Sequence, residues 1–261
     1  MILRGNVYSK KLEMETGITV IAPNDYRNNS RYQVVYLLHC LMGRSGDWAD
    51  YTMLPEYAKD YQAVFIMPEA ARSFYTDMKY GLKYFSYVKD ELPLICQSIF
   101  NISAKREDTA IMGASMGGYG ALKCALSSPE KYSYCCAFSS ACLFMKEAIE
   151  RCGLEKMKEE TREIHGNQLV IDFEAALGKS IEWTDKEDIL ELAKKVNGQT
   201  IKPKIYCTCG TEDYLHDDHL KFRKEMGMLD LDFCYEEWTG SHNWYFFNQS
   251  IEKALKWCFG N

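Results

Sequence analysis

The stretch TAIMGASMGGYGA, residues 109–121, decides the fold of this chain. The run TAIM is typical of a buried strand, and a helical pattern follows the glycines. Between them, Gly113, Ser115 and Gly117 have the spacing GxSxG, in which a sharp strand-to-helix turn holds the serine in strained backbone geometry. Side chains at the flanking positions would collide with the neighbouring strand and helix, hence the glycines. The pattern predicts a nucleophilic serine, Ser115, at the carboxyl edge of a sheet.

Two phosphate-binding patterns compete for the same glycines, and both fail. A P-loop requires Lys and then Ser or Thr after its last glycine, but Gly118 is followed by Tyr119. The dinucleotide pattern GxGxxG also fails, because Lys123 stands where the third glycine belongs after Gly118 and Gly120. We therefore expect no phosphate-bearing cofactor, and nothing else in the chain indicates a cofactor.

Short apolar runs alternate with helical patterns along the chain. Near-continuous hydrophobicity is what strands of a parallel sheet require when both of its faces are buried. Two earlier stretches, ILRGNVYS and ETGITVIAP, are expected to pair antiparallel. The expected architecture is α/β, a mostly parallel central sheet flanked by helices. We predict strands at residues 33–39, 62–68, 109–113, 134–140, 204–210 and 231–237, and helices near 86–100, 118–127, 184–196, 217–228 and 247–258.

No repeat, low-complexity tract or linker divides the chain, so residues 1–261 are predicted to form a single domain. Residues 145–203 are charged, helical in pattern and long for a connection between two strands. We expect this insertion to cover one end of the sheet as a small helical lid. Within it, Thr184 and Glu187 match a capping box, which predicts a helix start there.

Composition limits the class of protein and its partners. With 47% hydrophobic residues the chain can bury a sizeable core, and its formal net charge of -6 offers no basic field for nucleic acid, which is not an expected partner. The amino terminus lacks the apolar segment of a signal peptide, and no run approaches the roughly 18 apolar residues of a membrane span. We therefore expect a cytoplasmic protein without a membrane partner. The sequence leaves open whether the protein forms a homo-oligomer.

The eleven cysteines do not indicate a disulfide framework or a metal site. Their number is odd and the expected compartment is reducing, so free thiols are predicted. No CxxC pair is present to hold a metal ion.

A serine nucleophile needs a general base and a carboxylate that orients the base. In folds of this kind the chain order is Ser, then Asp or Glu, then His. Three histidines lie downstream of Ser115 and outside the lid segment, namely His216, His219 and His242. The last of them lies in the polar loop TGSHNWYFF between the last strand and the last helix. Asp213 follows the strand KIYCTCG, so its carboxylate is expected at the same sheet edge as Ser115. The predicted triad is Ser115, Asp213 and His242.

The run HDDH, residues 216–219, contains rivals for these roles. Asp217 and Asp218 lie a turn beyond Asp213, inside the next predicted helix. Two histidines three residues apart also resemble part of a metal site, but no third ligand is well placed. Acidic residues at the positive end of a helix explain the run, and no metal is expected.

Stabilisation of a tetrahedral oxyanion requires two backbone N–H groups. One is expected from Met116, directly after the nucleophile at the helix amino terminus. The second is expected from Leu41, in the loop that begins where the strand QVVYLLH ends.

Several ordered motifs carry a family resemblance: YLLHCLMGRSGDW, FYTDMKYGLKYFSYVKDELP, IMGASMGGYGALKCAL, CGTEDYL and GSHNWYFF. Together they resemble the tributyrin esterase branch of the esterase D group of α/β-hydrolases, from about residue 5 to the carboxyl terminus. The resemblance implies the α/β-hydrolase fold and hydrolysis of short-chain acyl esters. It implies the same roles for Ser115, Asp213 and His242.

One residue departs from the family pattern. The family usually has His-Gly in the oxyanion loop, where this chain has His39 followed by Cys40. If the backbone angles of glycine are required there, Cys40 would displace Leu41. Its thiol could instead line the substrate pocket, and three aromatic residues near the motifs are further candidates for the pocket: Trp48, Tyr119 and Trp244.

The expected activity is that of a serine carboxylesterase acting on a small-molecule ester, with acetylated or feruloylated saccharides among the candidate substrates. Relatives of the resembled family include feruloyl and acetyl-xylan esterases and S-formylglutathione hydrolases. Three alternatives stay open: a thioesterase of the S-formylglutathione type, an acyltransferase, and a non-catalytic binding module on a hydrolase fold. The sequence does not distinguish ester from thioester or define the acyl and alcohol groups.

Overall fold

The computed structural model describes residues 1–24 and 30–260, and these residues form an eight-stranded sheet. The strand order is β1-β2-β4-β3-β5-β6-β7-β8. The pairs β1–β2 and β2–β4 are antiparallel and the remaining pairs are parallel. The strands are β1 (Ile2–Ser9), β2 (Met14–Ile21), β3 (Gln33–Leu38), β4 (Ala63–Pro68), β5 (Thr109–Ala114), β6 (Tyr134–Phe138), β7 (Lys204–Gly210) and β8 (Phe233–Trp238).

The predicted strands and their mostly parallel arrangement are confirmed. Every residue of β4 and β5 is buried, as expected for strands covered on both faces. The two amino-terminal stretches pair antiparallel, from Ile2 opposite Ile21 to Ser9 opposite Met14. The carboxyl ends of β5 to β8 therefore meet at one edge of the sheet.

Helices cover both faces of this sheet in the part of the chain that the structure describes, and two apolar clusters fill the space between. The predicted helix near 86–100 is divided, because a π-helical stretch, Tyr87–Glu91, separates the helices Tyr84–Ser86 and Leu92–Ile99. The helices are α1 (Asp47–Tyr51), α2 (Leu54–Tyr57), α3 (Tyr84–Ser86), α4 (Leu92–Ile99), α5 (Met116–Ser127), α6 (Met145–Cys152), α7 (Leu154–His165), α8 (Asn167–Leu177), α9 (Ile189–Asn197), α10 (His216–Met226) and α11 (Trp244–Phe259).

The predicted helix start at Thr184 is wrong. Helix α9 begins at Ile189, and its cap is Asp188, whose side chain accepts a hydrogen bond from the Glu191 N–H at 3.1 Å. The side chains of Thr184 and Glu187 bond to each other in the preceding turn. Asp188 caps the helix because it stands directly before the buried stripe of α9, which begins at Ile189.

Residues 145–203 form four helices, and two of them are weakly buried. Helix α6 has no buried residue, and α7 buries only Met157 and Lys158. In contrast, α5 is buried from Met116 to Leu126, so the helix that follows Ser115 is firmly packed. That residues 1–261 form a single domain, and that residues 145–203 act as a lid, remain predictions. Among the described residues, no helix has the length and apolar character needed to cross a membrane.

Candidate active site

Ser115 stands at the turn between β5 and α5 in strained backbone geometry. Its φ of 57° and ψ of -121° are rare for a residue with a side chain. A Cβ atom on Gly113 would lie 2.3 Å from the carbonyl oxygen of Gly117, and one on Gly117 would lie 2.4 Å from that of Leu38. Both glycines are therefore required by close approach of the backbone. The Ser115 N–H also donates to the Phe138 carbonyl at 2.9 Å, which ties the turn to β6.

Asp213 and His242 lie in direct contact, as their sequence positions predict. The Nδ1 atom of His242 is 2.9 Å from Oδ2 of Asp213, and the other carboxylate oxygen accepts the Leu215 N–H at 3.0 Å. Burial raises the pKa of Asp213, but the hydrogen bond and charge of His242 and the Leu215 N–H outweigh it and hold this pKa below its usual value. Asp213 is thus an ionised partner for the imidazole.

The other downstream histidines have different partners. His216 Nε2 is 3.0 Å from Glu237, and the fully buried His219 has Nε2 3.1 Å from the Ser140 carbonyl. Asp217 and Asp218 lie in the first turn of α10, as expected. The described residues contain no group of three or more His, Cys, Asp or Glu side chains that could hold a metal ion.

Two backbone N–H groups lie at the site, one in the loop after β3 and one at the start of α5. Within residues 1–24 and 30–260, neither Leu41 N–H nor Met116 N–H has a hydrogen-bond partner, and Met116 is the first residue of α5. Both residues line the same cavity as Ser115. Cys40 is not among the residues with positive φ, so this position does not require the backbone freedom of glycine.

Ser115 and His242 line a cavity of about 990 Å³. Much of its wall comes from the insertion, through α6, α7 and α8. The lining residues are Cys40, Leu41, Met42, Gly43, Arg44, Asp47, Tyr51, Arg72, Phe74, Ser115, Met116, Ala141, Cys142, Phe144, Met145, Ala148, Thr161, His165, Leu169, Phe173, Tyr214, Leu215, Asp218, His242, Asn243, Trp244 and Phe247.

Two of the four residues suggested for the substrate pocket reach this cavity, namely Cys40 and Trp244. The other two do not, and the expectation for them is corrected. Trp48 is fully buried and donates from Nε1 to the Leu38 carbonyl at 2.9 Å. Tyr119 is also fully buried, and its hydroxyl donates to the Glu187 carbonyl at 2.9 Å. Both side chains are packed in the core and do not line the cavity.

Sequence reasoning missed two residues that shape the site. The Tyr214 ring lies 4.9 Å from the His242 ring, between centroids, and its place directly after Asp213 was a usable signal. Arg72 lines the cavity and forms an ion pair with Asp172 of α8. These partners are 100 residues apart, and no local pattern connects them.

The fold defined by this sheet, its helices and the strained serine turn is that of the α/β-hydrolases. The chain belongs to the Esterase family, described as "Putative esterase", whose model matches residues 9–258. An acetyl esterase of Caldicellulosiruptor saccharolyticus is 32% identical over 272 residues, covering 98% of this chain and 97% of the relative.

Two solved structures from Staphylococcus aureus are similar in fold and sequence. The fluorophosphonate-binding serine hydrolase F has a TM-score of 0.83 at 28% identity, and an S-formylglutathione hydrolase has 0.82 at 26%. In both comparisons 99% of this chain and 98% of the other chain are covered. The protein is a serine hydrolase of the carboxylic ester hydrolase class, and its substrate is a small-molecule ester. The resemblance to the esterase D group is confirmed at the level of the family.

Proposed function

We propose that this esterase hydrolyses short-chain acyl esters through an acyl-enzyme, with Ser115 as nucleophile, His242 as general base and Asp213 as its partner. The observation that carries the proposal is the 2.9 Å contact between His242 Nδ1 and Asp213, beside a cavity that His242 shares with the strained Ser115. Because Nδ1 donates to the carboxylate, Nε2 is left without a proton and can accept one from the serine hydroxyl. This is the tautomer that a general base requires.

In this mechanism Ser115 Oγ attacks the ester carbonyl carbon while its proton passes to Nε2 of His242. The Leu41 and Met116 N–H groups bind the oxyanion of the tetrahedral intermediate. Each such donor contributes on the order of 10² to 10³ in rate. His242 then returns the proton to the alcohol oxygen as the carbon–oxygen bond breaks. Water attacks the acyl-enzyme by the same sequence and releases the acid.

The size of the cavity supports an ester with a large group on one side of the scissile bond. A volume of about 990 Å³ far exceeds what an acetyl group fills. Trp244 and Tyr51, whose rings lie 5.5 Å apart, form part of its wall and offer apolar surface for a ring. The similar acetyl esterase supports a short acyl group. Acetylated saccharides fit this combination, with Cys40 and Trp244 as contact residues. Feruloylated saccharides instead carry an aromatic acyl group, which the size and apolar wall of the cavity would accommodate.

Hydrolysis of p-nitrophenyl esters of increasing acyl length tests the proposal. Ser115→Ala is expected to lower kcat by a factor on the order of 10⁶. Ser98→Ala, which changes an exposed serine of α4, is the matched control and is expected to retain wild-type rates. Equal, slow turnover by wild type and Ser115→Ala across the series would contradict the proposal and favour a binding module.

A thioesterase of the S-formylglutathione type is the second candidate, supported by the similar hydrolase of that name. The triad is the same for both, so only the substrate distinguishes them. Turnover of S-formylglutathione should be compared with turnover of an oxygen ester that has the same acyl group. A kcat/KM for the thioester at least about tenfold higher, equivalent to roughly 1.4 kcal/mol in the transition state, would favour the thioesterase.

A further inference from the structure

We infer that His39 is a positioning residue for the oxyanion hole: its ring sets the orientation of the Cys40–Leu41 peptide so that the Leu41 N–H faces the cavity. This inference rests on the proposed function, since it requires the Leu41 N–H to bind the oxyanion. The donor itself is a backbone N–H group, and His39 is the side chain that orients it.

Both nitrogens of the buried His39 ring have backbone partners. Nδ1 lies 2.7 Å from the carbonyl oxygen of Cys40, and a carbonyl can only accept, so Nδ1 carries the proton. Nε2 accepts the Ala70 N–H at 3.0 Å. The ring therefore links the oxyanion loop after β3 to the loop after β4. The Cys40 carbonyl accepts a second hydrogen bond from the Gly43 N–H at 2.9 Å.

Because the peptide is planar, fixing the Cys40 carbonyl also fixes the direction of the Leu41 N–H. The peptide between Cys40 and Leu41 is trans, so its C=O and N–H bonds point in opposite directions. The carbonyl is held toward His39, which is 1% exposed. The N–H of Leu41 is then directed the other way, and it has no partner among the described residues while Leu41 lines the cavity. Rotation of this peptide would replace a donor by a carbonyl oxygen facing the oxyanion.

His39 is itself held in place from two sides. The buried hydroxyl of Tyr75 donates to the His39 carbonyl at 3.0 Å, and the Trp48 indole donates to the preceding carbonyl of Leu38 at 2.9 Å. This arrangement also explains why Cys40 is accommodated in the loop. The orientation of the peptide depends on the His39 ring and does not depend on a backbone conformation that only glycine adopts.

The contact with Cys40 does not depend on the charge of the ring. Oε1 of Glu69 lies 3.3 Å from Nε2 of His39, where it would accept a hydrogen bond if that nitrogen were protonated. Nδ1 carries a proton in the tautomer that these partners require and also in the imidazolium. The bond to the Cys40 carbonyl is present in both forms.

Two amide variants separate the roles of the two ring nitrogens. In His39→Asn the amide N–H₂ lies near the position of Nδ1 and can still donate to Cys40. In His39→Gln the amide oxygen lies near the position of Nε2, so it can accept from Ala70, but the donor to Cys40 is lost. His39→Asn is expected to lose no more than about fivefold in kcat, whereas His39→Gln loses about 10² to 10³ with KM changed less than about threefold.

A boronic acid inhibitor gives a second readout, because it forms a tetrahedral adduct with the serine that mimics the transition state. The inhibition constant should rise in His39→Gln in proportion to the loss of kcat/KM and change little in His39→Asn. Equal losses in two folded variants, or a loss in His39→Gln that appears only in KM, would overturn the inference. Ser115→Ala is the reference: if it keeps wild-type activity, the proposed function has failed instead.

If both His39 variants unfold, a protein that keeps His39 still allows a test. Long-range ¹H–¹⁵N spectra distinguish the Nδ1–H and Nε2–H tautomers of histidine. In a His242→Gln variant, a remaining buried histidine with its proton on Nδ1 supports the inference. A spectrum without any Nδ1–H histidine overturns it.

Discussion

The Nδ1 atom of His242 lies 2.9 Å from the Asp213 carboxylate, whose side chain is completely shielded from solvent. The two residues are 29 positions apart and meet because β7 and β8 are parallel neighbours whose carboxyl ends share one edge of the sheet. Ser115 follows β5 at the same edge. Parallel topology therefore brings together three loops that are distant along the chain.

Asp213→Asn tests the proposed role of this contact. An amide at this position favours the wrong imidazole tautomer, so kcat should fall by a factor of about 10⁴ while the protein stays folded. The measurement is steady-state hydrolysis of a p-nitrophenyl ester. Asp217→Asn, an exposed neighbour in α10, is the control and should stay within about twofold of wild type. Similar activity of both variants would remove Asp213 from the mechanism.

Glu91 should make stability depend on pH. Burial raises its pKa, but the Ser9 hydroxyl and the N–H groups of Lys11 and Lys10 outweigh this and leave the pKa below its usual value. A lowered folded-state pKa means that the stabilisation is complete above the unfolded value of about 4.3 and is lost as pH falls through the folded value. Glu91→Gln should cost about 1–2 kcal/mol at pH 7.

The readout for Glu91 is urea unfolding of wild type and Glu91→Gln at several pH values. The difference in unfolding free energy should shrink steadily as the pH falls below about 4. A difference that stays constant down to pH 2 would show that the carboxylate charge contributes nothing to this turn.

The cavity thiols should be unreactive. Burial, with the charges of Asp47 and Asp218 beside them, raises the pKa of Cys40 and of Cys142 to about 12. At pH 8 the thiolate fraction is then roughly 10³-fold below that of a free cysteine, whose pKa is about 8.5. Iodoacetamide should leave esterase activity intact over a time in which an organofluorophosphonate abolishes it, because an activated serine attacks the phosphorus of that reagent and displaces fluoride. Rapid inactivation by iodoacetamide would contradict the shifted pKa values.

The ion pair between Arg72 and Asp172 should stabilise the attachment of α8. Asp172 is nearly buried, with Nη2 of Arg72 at 2.6 Å, and its other oxygen accepts from Gln168 at 3.0 Å. Arg72→Met should cost about 1–3 kcal/mol, because it leaves a buried carboxylate without its cation, although the guanidinium is partly solvated. Urea unfolding measures this loss. The double variant Arg72→Met/Asp172→Leu should recover part of it, and no recovery would argue against an unpaired buried charge.

Gly166 and Gly198 allow a comparison of how much an unusual backbone conformation costs in unfolding free energy when glycine is replaced by alanine. A Cβ atom would meet nothing within 4 Å at either glycine. Gly166 joins α7 to α8 at φ 85° and ψ 164°, a region that is essentially restricted to glycine, whereas Gly198 has φ -82° and ψ 0°. Gly166→Ala should destabilise the protein by about 1–3 kcal/mol.

Gly198→Ala should change stability little, or raise it by up to about 1 kcal/mol through the unfolded state. Thermal unfolding of both variants provides the comparison. Equal effects would mean that the φ angle of Gly166 is not what the chain requires there.

The sequence by itself determined the architecture and the order of the candidate triad. Apolar runs without alternation predicted parallel strands buried on both faces, and GxSxG at the end of one run predicted the strained turn at Ser115. Asp213 and His242 could be chosen because each follows a strand. The inferences about the strands and the strained turn succeed because backbone conformation and burial are encoded in local patterns.

Only the tertiary structure decided which side chains face the cavity and which support it from behind. Trp48 and Tyr119 lie close to the site motifs along the chain, yet both are fully buried. The contacts of His39 with Cys40 and Ala70, and of Arg72 with Asp172, join loops and helices that no local pattern relates. The physical reason is that the surroundings of a side chain are set by packing between residues far apart in sequence, and these meet only when the sheet and its helices are assembled.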